Sequence, residues 1–103
     1  MKDMMKMMQQ AKDLQKNLKA AQDELAETVV TGTAASGMVE IFLTCGYELK
    51  GVKIKPEAVD EDDTETLEDL VHTALQDALK QAHDTTQSKM GGLTGGLNIP
   101  GLA

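Results

Sequence analysis

The chain has no tryptophan and no arginine, and only one cysteine, one phenylalanine and one tyrosine among its 103 residues. Each absence excludes something. Without arginine, no side chain can form the planar bidentate fork that reads guanines or grips phosphates in pairs. With Phe42 and Tyr47 as the only aromatics, a core built on large rings is excluded, and Leu, Val, Ile, Met and Ala must fill it. A domain of this size buries a modest share of its surface, so self-association is an expected route to further burial. Cys45 alone cannot close an intrachain disulfide, which suits a reducing cytosol. No apolar run reaches 18 residues, so no membrane-spanning helix is expected. The N-terminus mixes Met with Lys, Asp and Gln and lacks the compact apolar core of a secretory signal.

What is present is an uneven charge. The formal charge is −7, but residues 1–55 balance at +1 and residues 56–103 at −8. That asymmetry predicts a charged interaction surface on one half only. The reversal is abrupt. Lys50, Lys53 and Lys55 are followed at once by Glu57, Asp60, Glu61, Asp62 and Asp63.

The pattern of apolar residues divides the chain into five elements. Met4, Met7, Ala11, Leu14, Leu18, Ala21 and Leu25 recur at spacings of 3 and 4. This is a heptad seam, with Met4, Ala11, Leu18 and Leu25 at a and the others at d, and it predicts one helix over residues 3–26. So narrow a seam, rich in Ala and Met, needs a partner helix from its own chain or a second one. Thr28–Thr31 are β-formers, and Gly32–Gly37 reads as a turn. "MVEIFLT" alternates, with Val39, Ile41 and Leu43 on one face. Cys45-Gly46 fits a two-residue hairpin turn, although Asn or Asp suits its first place better. "YELKGVKIK" forms a third strand, in which Gly51 breaks the alternation and predicts a bulge. Three strands joined by short turns give an antiparallel meander that needs a helix on one face. After an acidic loop at 57–63, Leu67, Leu70, Val71, Ala74, Leu75, Ala78 and Ala82 mark a second helix from Thr64 to Lys89. The expected organisation is one α+β domain over residues 1–90, helix–three strands–helix (α-β-β-β-α), with a Gly-rich flexible tail over 91–103.

Few features offer chemistry. Lys2, Lys6, Lys12, Lys16 and Lys19 fall at positions f, c, b, f and b of the heptad, away from the seam, and only Asp3 and Asp13 oppose them over residues 2–19. A solvated outer face explains such a stripe on any long helix. That is the ordinary case; the functional alternative is a phosphate-contacting surface, because Lys acts as a point charge suited to backbone contact without sequence preference. The acids near Thr64 complement the dipole of the second helix, and Asp63 or Thr64 can cap it. A calcium loop counted from Asp60 would place Glu65 where glycine is required, so no metal site is expected there. His72 and His83 stand about 16 Å apart along a helix, too far to share a metal. Cys45 has no base at a recognisable spacing. Gly91-Gly92 and Gly95-Gly96 follow a helix instead of opening one, as a phosphate cradle would. No catalytic residue, cofactor site or metal site is expected. Met1, Met4, Met5, Met7 and Met8 crowd the N-terminus, where soft packing against a partner helix is favoured over a membrane surface.

Several pieces together carry a resemblance: "MMKMMQQAKDLQKNLKAAQDEL", "VTGTAASGMVEI", "GVKIKPEAVDEDDTETLEDLVHTALQDAL" and "KMGGLTGGLNIPGL". In this order they cover nearly the whole chain, and the set resembles the YbaB/EbfC family of bacterial nucleoid-associated proteins. "TCG" departs from the Asn-Gly expected in the turn. The resemblance implies a homodimer with the sheet at its centre and helices projecting outward. It also implies cytoplasmic, nucleoid-located binding of double-stranded DNA with little sequence preference, effects on gene expression, no small-molecule substrate and no enzyme activity. Lys2, Lys6, Lys12, Lys16 and Lys19 are then the expected phosphate contacts, with Lys89 as a further candidate. The pI near 4.6 is unusual for such a binder. It keeps open a dimeric adaptor that binds other proteins and meets DNA only indirectly.

Overall fold

The computed structural model describes residues 2–94. The order is α1 (Lys2–Glu27), β1 (Val29–Ala34), β2 (Val39–Thr44), β3 (Leu49–Ile54), a short 3-10 turn at Pro56–Ala58, and α2 (Thr64–Thr94). The strands form one antiparallel sheet in the order β1-β2-β3. The sequence reading of helix, three-stranded meander and helix therefore matches the fold. The expected bulge is there too: Phe42 faces Gly51 and Leu43 faces Leu49, which leaves Lys50 as the extra residue.

α2 builds the body. Ala74, Ala78 and Ala82 are fully buried and lie against β1 and β2, where Val39, Ile41 and Leu43 form the centre of the core. Three alanines at four-residue spacing give the helix a flat seat, and Gly32 lets it sit close. A Cβ at Gly32 would lie 2.1 Å from the Ala74 carbonyl oxygen. This corrects the turn expected at 32–37. Gly32, Thr33 and Ala34 belong to β1, and the glycine serves a close backbone approach. The loop that remains takes positive φ at Ala35, Ser36 and Gly37.

α2 also covers the outer edge of β1. The Thr33 amide donates to Asp77 Oδ2 at 2.9 Å, and Gln81 Nε2 donates to the Thr31 carbonyl at 2.8 Å. Backbone groups that an edge strand would leave open are thus satisfied by side chains.

Two local expectations change. The β2–β3 connection spans residues 45–48 and is longer than the two-residue turn expected. The Tyr47 amide donates to the Thr44 carbonyl, the Glu48 amide donates to Thr44 Oγ1, and Tyr47 takes φ 68°. The left-handed residue is the tyrosine. Gly46 lies close against α1, where an added Cβ would stand 3.3 Å from the Ala26 Cα. α2 also runs on through Gly91 and Gly92 to Thr94, five residues beyond its expected end. Each helical glycine costs about 1 kcal/mol relative to alanine, and the packing of Met90 against the core helps to offset it. The rest of the expected tail, residues 95–103, lies outside the described residues.

Candidate nucleic-acid interface

α1 is anchored at one end only. Ala21 and Leu25 are buried, and the Thr28 hydroxyl closes the helix by donating to the Glu24 carbonyl at 2.8 Å. Toward the N-terminus the seam opens. Leu14 and Leu18 are half-buried, and Met4 and Met7 are 69% and 68% exposed. The last described turns of α2 run back along α1, so that Leu93 shares a cleft with Gln10, Asp13, Leu14 and Asn17. Among the described residues, the first two turns of α1 have no such neighbour. The overall dimensions, 74 × 24 × 16 Å with a radius of gyration of 19.8 Å, record this projecting arm. A compact chain of this length has a radius of about 13 Å.

The expected lysines fall into three groups. Lys6, Lys12 and Lys16 are exposed, and no ion pair engages them among the described residues. They lie on the side of α1 turned away from its seam. Lys19 belongs to the same stripe but stands 3.4 Å from Asp23 one turn on, with both side chains largely exposed. A pair this exposed holds its lysine weakly. Lys89 is engaged differently. It bridges α2 to Glu24 of α1 and is the least exposed lysine among the ion pairs, so it ties the two helices together. The side chain of Lys2 lies outside the described residues.

The acids have local structural work. The Thr66 amide donates to Asp63 Oδ1 at 3.3 Å, which makes Asp63 the cap of α2. The Asp62 amide donates to Asp60 Oδ1 at 3.0 Å and holds the preceding turn. Position separates the two signs of charge. The acidic loop opens α2, whereas Leu93 at the other end of α2 lies beside α1. At helical rise those ends are about 44 Å apart, several times the screening length of about 8 Å at physiological salt. The loop can make the chain acidic overall without cancelling the field at the lysines.

Sequence reasoning missed one surface. Val39, Ile41 and Leu43 pair with Ile54, Val52 and Leu49 of β3, so these residues share the helix-side face. Yet Leu49, Val52 and Ile54 are 58%, 49% and 39% exposed, because α2 lies over β1 and β2 and leaves β3 bare. On α2 itself an apolar groove lined by Thr64, Leu67, Val71, His72 and Leu75 is also open. The apolar residues of β3 were legible in the sequence. Which strands α2 would cover was not. His72 and His83 are both exposed, and Cys45 is a buried free thiol. Among the described residues no group of His, Cys, Asp and Glu could hold a metal ion, and no helix is long and apolar enough to cross a membrane.

Fold and surface together define a small helix-flanked sheet domain with a charged helical arm and an uncovered apolar flank. The model of the YbaB/EbfC DNA-binding family matches residues 1–97, and the chain belongs to that family. It is 43% identical to nucleoid-associated protein DP1429 of Desulfotalea psychrophila over 97% of this chain and 94% of that protein. It is 46% identical to nucleoid-associated protein TTE0040 of Caldanaerobacter subterraneus subsp. tengcongensis, over 93% and 86%. Among solved structures, the uncharacterized protein HP0035 of Helicobacter pylori shares the fold with a TM-score of 0.71 at 17% identity, over 84% of this chain and 91% of that one.

Proposed function

We propose that the protein is a dimeric nucleoid-associated protein that holds double-stranded DNA by lysine–phosphate contacts along α1, with little sequence preference. In this reading it organises the nucleoid and influences gene expression. The observation that carries the reading is the stripe of exposed, unpaired Lys6, Lys12 and Lys16 on a projecting helix. Lys2 and Lys19 extend the stripe. Lys89 contributes by holding the arm, and it reaches phosphate only when Glu24 releases it. The chain contains no arginine and the stripe carries no aromatic, so neither base-edge forks nor base stacking is on offer. What is left is Coulombic attraction to the backbone.

Exposed apolar surface supports the dimer. Leu49, Val52 and Ile54, with the unpaired edge of β3, form the apolar surface that a second copy would cover. Sedimentation should give a dimer for the native chain and a monomer for Val52→Lys.

A gel-shift titration at low and moderate salt tests DNA binding. About four phosphate contacts give a slope of log affinity against log salt near −3.6. Changing Lys6, Lys12 and Lys16 together to Glu should abolish binding without altering the fold. Binding that persists with the same salt slope moves the interface off α1. No binding by the native dimer at low salt favours a protein-binding adaptor.

A further inference from the structure

Four methionines stand on the first two turns of α1, and all are conspicuously exposed: Met4 69%, Met5 74%, Met7 68% and Met8 60%. Methionine is ordinarily among the buried residue types. The heptad seam accounts for Met4 and Met7, which hold its a and d positions. It does not account for Met5 at b, on the outer face, whereas Met8 at e flanks the seam.

Helix geometry sets Met8 beside two of the others. Met8 follows Met5 by three residues and Met4 by four, the two spacings that make side chains neighbours, with Cβ atoms about 5–6 Å apart. Long side chains on a helix lean back over the preceding turn. Met8 therefore leans toward the gap between Met4 and Met5. Three unbranched, flexible thioethers are thereby within reach of one patch. The nearest carboxylate in sequence, Asp3, lies about 140° around the helix from Met8 at the α-helical turn per residue. The patch thus lacks the oxygen ligands that hard cations require, and neighbouring Lys6 disfavours a divalent charge. Thioether sulfur selects soft ions.

From this arrangement we propose that Met4, Met5 and Met8 form a surface site for one soft monovalent cation, Cu(I) or its redox-inert counterpart Ag(I), held by three sulfur atoms. Binding releases no proton, because a thioether carries none. This separates the site from any built on His, Cys or carboxylate, whose ligands must lose protons to bind. The site is independent of the DNA-binding reading.

The test uses the full chain with methyl-13C methionine, titrated with Ag(I) in chloride-free buffer, and with Cu(I) without oxygen against a chromophoric Cu(I) chelator. The Met4, Met5 and Met8 methyl signals should shift together and saturate at one ion per chain, while Met38 and Met90 stay in place. Affinity should be the same at about pH 5 and pH 7, a range across which histidine changes its charge. Met8→Leu keeps the helix and the apolar surface but should weaken binding about tenfold or more, since even outer-shell changes at metal sites cost that much. The proposal is overturned if no methyl shifts, if all methionines shift alike, if affinity falls with acid, or if Met8→Leu binds as the native chain does.

Discussion

The two helices have similar sequence credentials and opposite fates. Each carries a long apolar pattern without an internal proline. α2 lays its pattern on the sheet and buries Ala74, Ala78 and Ala82 completely, whereas α1 buries only Ala21 and Leu25 and leaves its first turns bare. The period of the pattern anticipates the difference. A 3.6-residue period suits one face on a globular body, and a strict heptad suits a seam along another helix. In this chain α2 supplies that second helix for only part of the length of α1. One helix builds the domain, and the other is presented by it.

Breaking α2 from its seat should have the largest effect. Gly32→Val puts side-chain atoms where the Ala74 carbonyl and Ala78 already are. It should cost about 3 kcal/mol or prevent folding altogether, read by urea denaturation followed by circular dichroism. The anchored end of α1 comes next. Leu25→Ala removes a core side chain and should cost about 2–4 kcal/mol in the same assay. The free end should be the most tolerant. Met7→Ala should change stability by less than about 0.5 kcal/mol, as at surface positions without special contacts. A loss comparable to that of Leu25→Ala would mean that a second copy covers the arm, and the contrast between the two ends of α1 would dissolve.

Element type and order were legible because periodicity reports the burial each segment needs. Three details were not, and each is a tertiary effect. Gly32 reads as a turn residue, but its use is the close approach of α2, which no local pattern encodes. Tyr47 takes the left-handed φ beside a glycine that does not need it, since Gly46 is committed to the contact with Ala26. Gly91 and Gly92 read as breakers, yet they sit inside a helix whose neighbouring Met90 packs on the core. The lysine stripe was visible as a spacing. Only the fold distinguishes unpaired Lys6, Lys12 and Lys16 from Lys89, whose partner Glu24 lies 65 positions earlier in the chain.

The side chains of Asp77 and Gln81 occupy two backbone groups on one margin of the sheet, while β3 forms the other margin without a covering helix. A sheet with two open margins can recruit copies without end, as fibrils do. A sheet with one can recruit a single copy. In the proposed dimer, where two β3 strands meet, each remaining margin is a β1 that α2 partly occupies. The same two hydrogen bonds from the body-building helix would then oppose the addition of a third copy.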